Sequence, residues 1–174
     1  MDDIKVLLLR AKSGDKDAFG QVYQEYFAPI FRYLYFRLKD KEEAQDLTQI
    51  VFVKIFKNLN DYRINGSPLA YFFTVARNTL IDYQRKRKEV KIEDDQNLED
   101  QAQNQEELSQ SKFMWQKIMA VFPKLPDDQQ EIMTLKFINH LSNQEISEIT
   151  EKSLGNIRQI QCRAITKIKE LIKT

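Results

Sequence analysis

Cysteine is almost absent from this chain. Cys162 is the only one, so an intrachain disulfide framework and a cysteine zinc site are both excluded, and a reducing compartment fits. Histidine is equally scarce. His140 stands alone, which leaves no His/Cys cluster for a metal, and it reads as a residue near a turn with no catalytic role. Glycine and proline number 4 each; with no glycine-rich phosphate loop and few breakers, little argues for a nucleotide enzyme. Long apolar runs are missing too. The early run Val6 to Leu9 is far too short to span a bilayer, and Met1-Asp2-Asp3 lacks the basic start of a secretory signal. These absences lead us to expect a soluble, cytoplasmic, non-enzymatic chain with no cofactor, no metal site and no direct membrane insertion.

A charge of one sign is also missing, since the net charge is only +1. Its distribution matters more. Residues 1–88 hold 16 Lys and Arg against 11 Asp and Glu, residues 89–107 hold 1 against 8, and residues 108–174 hold 10 against 7. Two mildly basic blocks therefore flank an acidic strip, a pattern more informative than the total.

Most of the chain carries helical periodicity, and strand-like alternation is rare. A short helix is predicted over Ile4 to Lys12, broken by Ser13-Gly14-Asp15. A long helix follows with Phe19, Val22, Tyr23, Tyr26, Phe27, Ile30, Phe31 and Leu34 on a wide apolar stripe, read as core. Glu42 to Leu59 forms the next helix. Ala44, Leu47, Val51 and Ile55 face inward, whereas Asp46, Gln49, Ile50 and Val53 lie on the other side. Ile50 and Val53 are apolar groups among polar ones, which suits either a partner surface or burial against another helix. Asn65-Gly66-Ser67-Pro68 supplies turn chemistry. Leu69 to Lys88 is a third long helix that interleaves aromatics with Arg77 and Asn78 and ends in Arg85-Lys86-Arg87-Lys88. Cations suit a helix C-terminus; aromatics beside cations also suit single-stranded nucleic acid. Glu89 to Glu107 has almost no core formers and reads as a flexible acidic linker.

The last third is the most informative. Ser142-Asn143-Gln144-Glu145 is a capping box at the start of a short helix. Ser153 is a second N-cap candidate, after which Ile157, Ile160, Ala164, Ile168, Leu171 and Ile172 share one stripe. The opposite face carries Asn156, Arg158, Gln159, Cys162, Arg163, Thr166 and Lys169. Two helices joined by a tight turn, the second with a basic outer face, form a helix-turn-helix pattern. Arg158 and Arg163 could reach guanine or phosphate, and Gln159 an adenine edge. The same pattern also fits a plain helical hairpin with a solvated face. Cys162 reads as a small residue beside the groove rather than a redox switch.

Three local patterns stand in one order: Asp46-Leu47-Thr48-Gln49 with Val51-Phe52-Val53-Lys54; Ala70-Tyr71-Phe72 through Ala76-Arg77-Asn78 and Ile81-Asp82-Tyr83; and Leu125-Pro126, Glu145-Ile146, Gly155-Asn156-Ile157-Arg158 and Arg163-Ala164. Together they resemble the extracytoplasmic-function group of sigma factors of bacterial RNA polymerase. The resemblance implies an all-α fold with two small helical domains joined by the acidic linker: residues 1–88 as sigma region 2, 89–111 as linker, and 112–174 as sigma region 4. It implies a factor that binds core polymerase and directs initiation at minus-ten and minus-thirty-five promoter elements.

By the same resemblance, Asp46, Gln49, Ile50 and Val53 would dock on the coiled coil of the polymerase's largest subunit. Tyr62, Arg63, Asn65 and Ser67, with Tyr71, Arg77, Asn78, Arg85 and Lys86, would capture and melt the minus-ten element, where a base is flipped into a pocket. Asn156, Arg158, Gln159, Cys162 and Arg163 would read the minus-thirty-five duplex, and the second-largest subunit's flap would meet the other side. The linker would thread the RNA path, and an anti-sigma partner is implied. Tyr71 stands where the family usually has Trp, Ile50 where many members have Glu, Glu151 where the turn often has Gly, and Ile160 where some place Arg. The alternative is a stand-alone helix-turn-helix regulator binding a duplex operator as a dimer.

Overall fold

The computed structural model describes residues 4–62, 67–91 and 110–173. Every long element among them is a helix. The first is α1 (Ile4–Lys12), closed by Gly14, whose φ of 97° lies in the left-handed region that favours glycine. Helix α2 (Lys16–Leu38) starts where the Asp15 carboxylate accepts the Ala18 N–H, and α3 (Lys41–Lys57) starts where Asp40 accepts from Glu43. A single 3-10 turn, Leu59–Asp61, leads toward α4 (Pro68–Lys91).

The second half opens with α5 (Gln110–Val121), then α6 (Asp127–Met133), α7 (Asn143–Thr150) and α8 (Leu154–Lys173). Leu125-Pro126-Asp127-Asp128 followed by Ile132, Met133, Leu135, Lys136 and Phe137 predicts one helix that continues through Phe137. Instead the chain loosens at Thr134 into a π-turn to Ile138, where the Asn139 N–H bonds the Thr134 carbonyl five residues back. Phe137, within this turn, is exposed.

Helices α1 to α4 pack around Leu8, Ile30, Leu34, Ile55, Phe72 and Phe73, all essentially water-free. The wide stripe of α2 divides. Val22, Tyr26, Ile30 and Leu34 are buried, but Tyr23 is exposed, and Phe27 and Phe31 are half-buried. Rings at Tyr23, Phe27, Phe31 and Tyr35 lie at successive steps of four, with centroids 5.3, 6.1 and 5.9 Å apart. A four-residue step overshoots one turn by about 40°, so such a row drifts to the flank of the buried stripe.

This core does not end with the first half. Ile132, Leu135, Leu141, Ile146, Ile149, Ile157 and Ile160 belong to the same continuous cluster, because α4 packs on α7 and α2 on the π-turn. A smaller cluster, including Phe122, Leu125, Met133, Ala164 and Ile168, ties α5 and α6 to the later turns of α8.

Candidate nucleic-acid interface and docking surface

The capping box is formed as the sequence implies. The Glu145 N–H donates to Ser142 Oγ at 3.2 Å, and the Ser142 N–H donates to Glu145 at 2.8 Å. Glu151 ends α7 with φ of 58°, a left-handed cap that more often carries glycine. Ser147 Oγ donates to the Lys152 carbonyl at 2.6 Å across this turn, and Ser153 Oγ then accepts the Asn156 N–H at 3.2 Å. Gln161 donates to Asn143 at 3.0 Å, tying α8 to the start of α7. The two helices are thus fixed as a helix-turn-helix.

On α8, Ile157, Ile160, Ala164 and Ile168 are buried. Asn156, Arg158, Gln159, Cys162, Arg163, Thr166 and Lys169 are all exposed. Arg158 and Arg163 make no ion pair among the described residues. Their guanidinium donors are available to base edges or phosphates.

Helix α3 presents a different surface. Asp46, Gln49, Ile50 and Val53 are exposed together, with Ile50 and Val53 about half open to solvent at 47% and 52%. Among the described residues, no other helix of this domain buries them. Phe56 extends the apolar strip at 49% exposure. It was not singled out from the sequence, although its three-residue step from Val53 was the available signal. Beside it, Phe19, Tyr23, Gln49, Val53 and Phe56 line an open, mostly apolar groove of about 530 Å³ between α2 and α3. The Phe19 and Phe56 rings meet edge-on at 4.9 Å.

The residues expected at the minus-ten element fare unevenly. Arg63 and Asn65 lie outside the described residues. Tyr62 is buried, its ring 5.2 Å from that of Tyr71, which is half-buried. Ser67 accepts the Ala70 N–H at 3.3 Å and so caps α4. Asn78, Arg85 and Lys86 are exposed, with Arg85 3.4 Å from Asp82. Within the basic run, Arg87 is held at 2.7 Å by Glu43 of α3. Burial, then the Glu43 carboxylate, raises the Tyr83 phenol above its usual range.

Arg77 does not face solvent alone. Its Nε donates to Glu131 of α6 at 2.9 Å, and the Tyr33 hydroxyl donates to the same oxygen at 3.3 Å. Burial, reinforced by the Glu131 charge, pushes the Tyr33 phenol far above its ordinary value, so it stays a neutral donor. Arg37 of α2 pairs with Asp127 of α6 at 2.8 Å. Most of the intervening linker, 92–109, lies outside the described residues; its ends, 89–91 and 110–111, belong to α4 and α5.

The sequence matches sigma-70 region 2 over residues 22–90 and sigma-70 region 4 over residues 115–168. The factor SigM of Bacillus subtilis, an extracytoplasmic-function RNA polymerase sigma factor, is 32% identical over 87% of this chain and 93% of its own length. The chain belongs to the extracytoplasmic-function group of the sigma-70 family. SigW of the same organism is 31% identical over 89% of each chain. The sigma factor BldN of Streptomyces coelicolor is 29% identical over 95% of this chain, which spans 64% of that protein. The fold of this sigma factor is shared with CnrH, solved with the cytosolic domain of CnrY, at a TM-score of 0.76 and 20% identity over 99% and 98% of the two chains. It is shared also with the sigma factor RpoE of Bartonella quintana, solved with the anti-sigma factor NepR, at a TM-score of 0.75 and 22% identity over 90% and 97%. Sigma factors are non-enzymatic DNA-binding initiation factors. Accordingly, this one directs promoter-specific transcription by core RNA polymerase. No described helix is long and apolar enough to cross a membrane.

Proposed function

We propose that the two halves divide promoter recognition between them. Residues 1–88 dock on core polymerase and open the minus-ten element, residues 112–174 read the minus-thirty-five duplex, and 89–111 connect them. The chain has no catalytic residues and acts in the cytoplasm, where the polymerase does the chemistry. The supporting observation is the coexistence of two unlike exposed faces: an apolar strip on α3 and a polar face on α8 whose two arginines make no ion pair among the described residues. The first suits a protein partner; the second suits a major groove.

On this reading Asp46, Gln49, Ile50 and Val53, extended by Phe56, contact the coiled coil of the largest subunit. Tyr71, backed by Tyr62, offers a ring to an unstacked base, and stacking offsets part of the few kcal/mol that unpairing costs. Arg63, Asn65, Ser67, Arg77, Asn78, Arg85 and Lys86 line the single strand. Asn156, Arg158, Gln159, Cys162 and Arg163 read the upstream duplex, and the far side of this half meets the second-largest subunit's flap. An anti-sigma protein covers one of these faces when the factor is idle; the fold neighbour RpoE is a sigma factor solved with such a protein.

The deciding experiment is run-off transcription of genomic fragments by bacterial core polymerase with and without the chain. Discrete new start sites are expected only with it. Tight operator binding by the chain alone, with no new starts, would favour the dimeric regulator instead. In a titration against core, Asp46→Ala with Gln49→Ala is expected to weaken binding without altering helicity, because both side chains are exposed; unchanged affinity removes them from the docking surface.

A further inference from the structure

Glu131 is only 8% exposed, yet it carries a carboxylate. Leaving such a charge unpaired is costly, and its partners are therefore informative. All of those shown come from the other half of the molecule: Arg77 on α4 and Tyr33 on α2. A second cross-junction pair, Arg37 with Asp127, lies on the same helix as Glu131, and Arg37 is itself nearly buried, at 5% side-chain exposure. Around these pairs the apolar core runs without interruption from α4 into α7.

This closed arrangement conflicts with simultaneous reading of both elements. Sites centred about 25 base pairs apart are separated by about 85 Å along a duplex rising 3.4 Å per pair. A compact chain of this length has a radius of gyration of about 16 Å. The halves must therefore part to reach both sites. When they do, Arg77 loses a carboxylate that satisfies its guanidinium much as a phosphate would.

We infer that Glu131 is an intramolecular latch. Its carboxylate, gripped by Arg77 and Tyr33, holds the two halves closed and withholds Arg77 from the minus-ten strand until polymerase and promoter supply better partners. The withholding of Arg77 rests on the proposed minus-ten role of that residue; the closure does not.

The test uses the full chain with Glu131→Gln, which keeps size and polarity but removes the charge, and Tyr33→Phe, which removes one hydroxyl. Small-angle scattering of the chain alone reads closure, and binding to core polymerase and to a single-stranded minus-ten oligonucleotide reads availability. Loss of a charge-assisted pair is expected to raise the open-to-closed ratio about tenfold or more for Glu131→Gln. The radius of gyration should increase and both ligands should bind more tightly, at unchanged helicity; Tyr33→Phe should move each in the same direction by less. Arg77→Glu should also expand the chain, and adding Glu131→Arg should close it again. Superimposable scattering for wild type, Glu131→Gln and Arg77→Glu overturns the latch. Expansion and tighter core binding without any gain for the oligonucleotide keeps the latch and removes Arg77 from the minus-ten site.

Discussion

Helices α8 and α4 are the two candidate DNA-reading elements, and they are prepared very differently. The reading face of α8 is complete: each candidate residue is exposed, and its two arginines have no carboxylate to leave among the described residues. The face of α4 is partly engaged, although Asn78, Arg85 and Lys86 are exposed. Arg77 is bound to Glu131, Arg87 to Glu43, and Tyr71 rests beside buried Tyr62. The contrast follows from the targets. A duplex groove has a fixed shape that a rigid helix can match in advance. A single strand exists only after melting, so the groups that hold it can be occupied by other contacts beforehand.

The largest way to break this comparison is through the core that both helices share. Leu135 is fully buried in the cluster joining α4 and α7, and Leu135→Ala is expected to cost about 2–5 kcal/mol. Thermal melting should then show both halves losing stability together; a loss confined to one half would mean that they are not coupled through this core. Tyr71→Ala should remove about 1–3 kcal/mol of single-strand stacking, read as weaker oligonucleotide binding and slower promoter opening with duplex affinity intact. Arg163→Ala should cost about 1–3 kcal/mol where it makes a bidentate base contact, and only on promoters that carry the upstream element. An equal loss on promoters lacking it would show a general defect instead. The smallest effect expected is at Ser142. Loss of this cap in Ser142→Ala should destabilise α7 by about 1 kcal/mol, seen as faster amide exchange in its first turn while α4 is unchanged.

Each helix leaves a different trace in the sequence. The stripe on α8 is strongly amphipathic, so its buried and exposed sets are readable from spacing alone. The capping box is local, a four-residue exchange that tertiary packing leaves in place. Ile50 and Val53 are different. Spacing placed them off the buried stripe but could not say whether another helix covered them; their exposure is a property of how α2 and α3 pack. The aromatic stripe of α2 is too wide for one face, and only packing determines that Tyr23 lies outside while Tyr26 lies inside. The π-turn after Met133 has no strong marker, because one inserted backbone residue changes no composition.

The sequence by itself determined the helical class, the helix-turn-helix, the charge layout and, through the order of its motifs, the family. Those depend on periodicity and on short-range hydrogen bonds, which neighbouring residues set. Only the tertiary structure decided that Arg77 meets Glu131, 54 positions away, and that the two halves share a core. Such contacts depend on the mutual placement of whole helices. No local pattern encodes which carboxylate, among many along the chain, the guanidinium will find.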